Sequence, residues 1–284
     1  MDITGTSRLT CLLGQPVAHS ISPKMHNYSF QKLQLDYAYL AFDVAPEDIG
    51  NAVSSLRLFN ARGFNLTMPH KVSVIPYLDE VTKAAALCNS VNTVVNDDGR
   101  LVGYTTDGIG YMDSLRDENI DITGQTMTLL GAGGAATSII VQAALDGVKN
   151  INVFKRKNSS FDKTRDFCDM ISKETDCKVC LIDIEDKKAL KKSIDESIIL
   201  TNATNVGMGD DDRSLVDKSF LRSDLIVSDI IYHPEMTRLL IDAKEAGAKY
   251  INGKYMLLYQ GAAAFKLWTG CDMPVEYLKE NCFS

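Results

Sequence analysis

The stretch TMTLLGAGGAATSIIVQAALDGVKNINVFK (126–155) decides the fold. TMTLL is short, apolar and closed at once by glycine, so it reads as a buried strand. Gly131-Ala132-Gly133-Gly134-Ala135-Ala136 then opens an apolar helix, 134–146, that stops at Gly147. INVFK supplies the next strand and completes a unit of about thirty residues, the length a βαβ turn-and-crossover needs. Gly131 permits the tight turn, Gly133 lets the backbone approach a pyrophosphate, and Ala136, in place of a third glycine, keeps helix and strand close. The helix start presents unpaired N–H groups and the positive end of its dipole, a setting that favours phosphate. A glycine triplet alone also serves close packing. Its place between a strand and a helix makes Gly131, Ala132, Gly133, Gly134 and Ala135 a dinucleotide-binding turn.

The second strand ends in Lys155-Arg156-Lys157-Asn158. NAD sites usually carry Asp or Glu there, accepting hydrogen bonds from the ribose hydroxyls. Cations instead attract a 2′-phosphate, and Arg can bind it bidentately. A solvated basic turn is the plainer explanation. The position favours NADP, with NAD left open.

Working outward, residues 112–252 continue the alternation. KVCLIDI, SIILTNAT and DLIVSDIIY are strand-like and mostly separated by helical lengths. Strands apolar on both faces, alternating with helices, predict a parallel sheet covered on both sides. Upstream, RLTCLLG (8–14) reads as a strand, 22–33 as a helix, 37–44 as a strand, 46–58 as a helix and 61–68 as a strand. A helical segment follows, then SVNTVVN and RLVGYTT, joined by the hairpin signal Asp97-Asp98-Gly99. MLLYQGAAAFKLW (256–268) is a strong helix with no sheet to extend. The expectation is an α/β protein of two domains. An N-terminal α/β substrate domain spans 1–111, with helices 253–284 packing back on it. A C-terminal Rossmann-type parallel-sheet dinucleotide-binding domain spans 112–252, with a cleft between the two.

Composition narrows the setting. With 284 residues, 24% of them charged, and a net charge of −7, the chain offers no basic balance for nucleic acid or an anionic membrane. MDITGTSRLT has neither the basic start nor the apolar core of a secretion signal. Residues 122–145 carry no charge, but scattered Thr, Gln and Ser and the glycines at 131, 133 and 134 argue for strand, turn and helix rather than a membrane span. Seven cysteines, Cys177 and Cys180 among them as a lone C-x-x-C, read as reduced thiols. Four histidines form no paired ligand motif, and no metal is expected. The predicted setting is cytoplasmic, with a small-molecule substrate, no nucleic acid, no membrane, and a homodimer left open.

Three clusters stand out in the first domain. In His19-Ser20-Ile21-Ser22-Pro23, Ser22 reads as an N-cap and Pro23 as the first helical residue, and two hydroxyls at a helix start also suit a carboxylate. Asn65-Leu66-Thr67-Met68-Pro69-His70-Lys71 places polar groups at a strand end and a lysine just inside the next helix. Asn92-Thr93 pairs with Thr105-Thr106-Asp107-Gly108, where Asp107 also suits a helix cap. Each cluster alone has an ordinary structural explanation.

In order, HSISP, NLTMPHK, SVNTVV, GYTTDGIG, LLGAGGAAT, TNATNVGM, IIYHPEMTRLL and MLLYQGAAAF resemble the shikimate dehydrogenase family over essentially the whole chain. The resemblance implies reversible, NADPH-dependent reduction of 3-dehydroshikimate to shikimate in aromatic amino-acid biosynthesis. It implies that Ser20, Ser22 and Tyr232 hold the substrate carboxylate, and that Thr67, Asn92, Asp107 and Gln260 contact ring hydroxyls, with Asn65 lining the same pocket. Lys71 and Asp107 would flank the reacting oxygen as the catalytic pair. Asn205 and Gly253 would join the glycine turn and residues 155–158 on the cofactor side. VVNDDG, DITGQTMTLLGAGGAAT and FDK are similar to the quinate/shikimate branch, whereas Asn65 and Thr67 follow the shikimate-specific one. Lys155-Arg156-Lys157 replaces the family's usual Asn-Arg-Thr, and Asn158 stands where the dual-specificity branch has Asp. Quinate use with NAD therefore remains an alternative, as does a regulator that has lost catalysis. The joint presence of Lys71, Asp107 and the two serines argues against the latter.

Overall fold

A computed structural model describes residues 3–283. The chain begins β1 (Arg8–Gly14), α1 (Ser22–Lys32), β2 (Tyr37–Asp43), α2 (Ile49–Leu58), β3 (Gly63–Leu66) and α3 (His70–Ser73). Then come β4 (Glu80–Val81), α4 (Lys83–Cys88), β5 (Thr93–Asp97), β6 (Arg100–Tyr104) and α5 (Asp107–Asp117). β7 (Thr126–Leu130), α6 (Gly134–Leu145), β8 (Asn150–Lys155), α7 (Phe161–Glu174), β9 (Lys178–Asp183) and α8 (Lys187–Asp195) follow. The chain ends through β10 (Ile199–Asn202), β11 (Ile226–Asp229), α9 (Arg238–Glu245), β12 (Lys249–Ile251), α10 (Lys254–Thr269) and α11 (Val275–Cys282). It divides into two compact units. One holds the described residues up to Gly110 and from Leu258 onward; the other is Tyr111–Leu257.

The second unit is a six-stranded sheet in the order β12-β11-β10-β7-β8-β9, with every neighbouring pair parallel. This is the doubly wound order, in which the winding reverses between β7 and β10. The glycine turn leaves β7 at that reversal. Leu130, Phe154, Leu200 and Val227, from four adjacent strands, are buried together with Leu240 of α9. Residues 122–145 are therefore a loop, a strand, a turn and a helix. No helix among the described residues is long and apolar enough to cross a membrane.

The first unit is a mixed sheet, β2-β1-β3-β5-β6-β4. β1 runs parallel to β2 and β3, β5 antiparallel to β3 and β6, and β4 parallel to β6. The hairpin falls where Asp-Gly placed it: Asp98 and Gly99 take φ of 50° and 94°, the double positive that joins two twisted strands without splaying them. The helical segment expected after Pro69 is instead broken into α3, a 3₁₀ turn at Ile75–Tyr77, β4 and α4. Pro76 interrupts the first helix, and Asn89 in the left-handed region ends α4.

α10 packs against this first sheet. The Trp268 indole donates to the Val94 carbonyl at 2.9 Å, and Arg62 donates to the terminal carbonyls of Leu267 and Trp268 at 3.3 and 2.8 Å. Beneath it lies His26 of α1, 0% exposed, stacked on Tyr39 with centroids 4.4 Å apart and tilted towards Trp268 at 5.3 Å. Neither His26 ring nitrogen has a hydrogen-bond partner among the described residues. Burial holds its pKa down at about 3, so the ring is a neutral core member. The next residue, Asn27, locks α1 to β2: its amide donates to the Tyr39 carbonyl at 2.8 Å and accepts the Tyr39 N–H at 2.9 Å. All seven cysteines are free, and burial pushes the Cys177 thiol up to about 12.

Candidate active site

In the first unit the nominated residues converge. Lys71 is the second residue of α3 and Asp107 the first of α5. Lys71 Nζ donates to Asp107 Oδ2 at 2.6 Å, with the side chains 30% and 14% exposed. Asn92 fixes the other carboxylate oxygen, donating to Asp107 Oδ1 at 2.8 Å, and lies 3.5 Å from Gln260 Oε1 of α10. The side-chain oxygen of Asn92, Oδ1, accepts the Thr106 N–H at 2.8 Å and the Thr93 hydroxyl at 3.2 Å, which sets its orientation. Asn65, on β3, donates to Thr93 Oγ1 at 2.9 Å and to the Asn92 backbone carbonyl at 3.1 Å. A buried polar network thus runs from Asn65 to Lys71. Every link between side chains is a direct hydrogen bond, which is what permits such polarity in a packed interior. Asp107, with both oxygens occupied, can hold an ammonium beside a reacting oxygen.

The serine pair differs from expectation by one position. Ile21 is the N-cap of α1, Ser22 is its first residue and Pro23 its second. The hydroxyl of Ser20 accepts the Ser22 N–H at 3.2 Å, doing locally what an N-cap side chain does. Thr67 is half-buried at the end of β3, and its hydroxyl makes no hydrogen bond among the described residues.

In the second unit Gly131 sits at φ 109°, and its N–H donates to the Phe154 carbonyl at 2.8 Å. A side chain there would meet the Ala203 carbonyl at 2.7 Å, so both conformation and space demand glycine. Gly133 and Gly134 are different. A Cβ on either meets nothing within 4 Å, and α6 starts after Gly133 as its N-cap, without a side-chain cap bond. The protein's own packing leaves that helix start bare. Lys155 turns inward on its own loop, donating to Asn158 Oδ1 at 3.1 Å and Ser160 Oγ at 2.8 Å. Arg156 and Lys157 are exposed and make no ion pair or hydrogen bond among the described residues. Asn205 and Tyr232 are exposed, Tyr232 at 55%. Gly253 has a backbone reason to be glycine: a Cβ would lie 1.8 Å from the Ile230 carbonyl oxygen, and its N–H is taken by Ile231 O at 3.0 Å.

Known proteins supply the remaining observation. The shikimate dehydrogenase substrate binding domain matches residues 12–94, and the shikimate 5′-dehydrogenase C-terminal domain matches 255–280. Shikimate dehydrogenase (NADP(+)) of Listeria monocytogenes is 50% identical over 283 residues, 99% of this chain and 97% of its own. The chain belongs to the shikimate dehydrogenase family. The enzyme of the same name from Streptococcus uberis is 50% identical over 287 residues, again covering 99% of this chain and 97% of the relative. The crystal structure of shikimate 5-dehydrogenase from Listeria monocytogenes in complex with shikimate and NAD superposes with a TM-score of 0.96 at 49% identity, over 99% of this chain and 98% of that one.

For this shikimate dehydrogenase family member, sequence reading missed two kinds of residue. Tyr39 donates to Asn65 Oδ1 at 2.8 Å, yet on β2 it reads as one more buried aromatic. Asp229, fully buried at the end of β11, accepts from Ile231 N, Thr237 Oγ1 and Asn202 Nδ2 at 3.0, 2.7 and 3.1 Å. It anchors both ends of the segment that carries Tyr232. Its pKa is raised, because burial outweighs those three bonds. A carboxylate in an apolar run was the available signal.

Proposed function

We propose that the protein is a shikimate dehydrogenase. It interconverts 3-dehydroshikimate and shikimate reversibly with NADP(H), as a step of aromatic amino-acid biosynthesis. In this reading the first unit binds substrate and carries the catalytic pair, and the second binds the dinucleotide. The observation that carries it is the Lys71–Asp107 pair at 2.6 Å, held at one end of a buried network of residues that recognise hydroxyl groups. A regulator without catalysis has no use for that pair.

Ser20 and Ser22 take the substrate carboxylate, with Tyr232. Asn65, Thr67, Asn92 and Gln260 address the ring. The bound dinucleotide supplies the hydride acceptor or donor. Lys71 stabilises the negative charge on the reacting oxygen and carries the proton at Nζ, while Asp107 orients that ammonium. The bare start of α6 and the open directions at Gly133 and Gly134 suit a pyrophosphate, which needs N–H donors and close backbone. Gly131, Ala132 and Ala135 complete that turn. Asn205 and Gly253 belong to the same cofactor side, Gly253 through the backbone it allows to cross. The setting is cytoplasmic, without nucleic acid or membrane, in keeping with a net charge of −7 and seven free thiols. A homodimer is part of the proposal and is decided by light scattering.

Arg156 and Lys157 read the 2′-phosphate, while Lys155 and Asn158 shape the turn that presents them. kcat/KM with NADP then exceeds that with NAD, and added salt narrows the gap. Arg156→Ala is expected to lower kcat/KM for NADP roughly 10–100-fold, the worth of about 1.5–3 kcal/mol for a bond to a charged group, and to leave NAD nearly unchanged. Equal use of both cofactors by the native enzyme defeats this assignment. The Listeria structure with NAD keeps that outcome in view.

Quinate adds a hydroxyl at the carboxylate-bearing carbon and has a more puckered ring. The serines grip the carboxylate in either compound, so discrimination falls to Asn65 and Thr67. An unpaired buried polar group costs about 1–3 kcal/mol, so kcat/KM for shikimate is expected to exceed that for quinate by roughly ten-fold or more. Asn65→Gly combined with Thr67→Ser narrows the ratio. Initial rates on the two substrates, each with NAD and NADP, decide both questions.

A further inference from the structure

We propose that Tyr39 is a positioning residue for the substrate ring: it holds Asn65 and commits it to accept, rather than donate, a hydrogen bond from a ring hydroxyl. The inference rests on the substrate reading above and adds a residue to it.

Asn65 has two amide hydrogens and two carbonyl lone pairs. Both hydrogens are spent within the protein, one on the Asn92 carbonyl and one on Thr93 Oγ1. The Asn92 carbonyl can only accept, so it fixes which way the Asn65 amide faces. One lone pair of Oδ1 takes the Tyr39 hydroxyl at 2.8 Å. A single lone pair is left for a ligand, and only a donor can use it. A ring hydroxyl qualifies, whereas a carbonyl or carboxylate oxygen at that point would be repelled.

Tyr39 has no freedom to do otherwise. It is 1% exposed, its backbone is paired in both directions with Asn27, and its ring is stacked on His26. Burial raises its phenol well above the ordinary range, so it remains a donor. The residue proposed for the ring is therefore held in one orientation by a rigid phenol. A ligand that brings a ring hydroxyl to that one lone pair is favoured over one whose differently puckered ring carries the hydroxyl elsewhere.

The test is a double-variant cycle of Tyr39→Phe and Asn65→Gly, read as kcat, KM and the shikimate-to-quinate ratio. Direct binding of shikimate is followed through the chain's single tryptophan, Trp268. Tyr39→Phe is expected to lower kcat/KM for shikimate roughly ten-fold, mostly through KM, and to narrow the ratio. In the Asn65→Gly background the same change has little further effect, because its route is gone. Phe30→Leu, which loosens the same aromatic core without touching the hydroxyl, leaves the ratio unmoved. Additive effects of Tyr39→Phe and Asn65→Gly, or an equal loss of selectivity in Phe30→Leu, overturn the proposal. A native chain that prefers quinate changes the substrate reading alone, and the cycle run with quinate still decides Tyr39.

Discussion

Replacing Lys71 by Ala is expected to lower kcat for shikimate oxidation by roughly 10²–10⁴-fold, the usual worth of a positioned proton-transfer group. The lost interaction develops with the charge on the reacting oxygen, so KM for shikimate changes far less. Lys71→Arg is expected to restore little. A guanidinium is planar, does not give up its proton, and cannot occupy the compact place of an ammonium beside Asp107. Folding is not at stake, since the Lys71 side chain is 30% exposed and its charged partner Asp107 keeps the bond from Asn92. Steady-state rates with saturating cofactor are the measurement. A Lys71→Ala enzyme with near-native kcat removes this residue from the chemistry.

The second large effect is on acid stability. His26 titrates near 3 in the folded protein because burial disfavours the charged ring, against 6.5 for an unburied histidine. Below pH 6.5 the unfolded chain binds a proton that the folded chain refuses. Stability therefore falls as pH falls, by about 1.4 kcal/mol per unit and about 3 kcal/mol by pH 4 from this residue alone. Asp229 works with the opposite sign: its raised pKa means the folded chain takes up a proton first on acidification, which adds stability. Comparing the wild type with His26→Phe separates the two. Phe keeps the stack on Tyr39 and removes two unpartnered nitrogens, so it is expected to be no less stable at pH 7 and clearly more stable at pH 4.5. Urea unfolding at the two pH values measures this. Equal losses in both proteins show that His26 is not the source.

Where the sequence was informative, the cause was local. Residues 126–155 were legible because an apolar run, a glycine with positive φ, a helix of one length and a second apolar run each act within a few residues. Asp98-Gly99 was legible for the same reason. The start of α1 was misread by one residue because Ser20 caps from outside the helix, through the Ser22 N–H, an arrangement that the Ser22-Pro23 pair alone does not reveal. β4 and β12 were missed: at two and three residues they are too short to show alternation, and they exist because a sheet edge is there to receive them.

The candidate site divides the same way. The residue types and their order along the chain were enough to nominate Lys71, Asp107, Asn92, Asn65 and Gln260, because a family's motifs are linear. That Lys155 is spent on its own turn, while Arg156 and Lys157 stand free, is a matter of side-chain direction that no string of three cations reveals. The donor and acceptor capacity left on Asn65 likewise appears only once Tyr39, Asn92 and Thr93 are placed around it, from segments separated by about as many residues as a βα unit. By itself the sequence determined the order of elements, the βαβ turn and the cast of polar residues, since propensity, patterning and turn chemistry are short-range. Only the tertiary structure decided which of those polar groups satisfy one another and which remain for a ligand, because hydrogen-bond satisfaction is settled between residues distant in the chain.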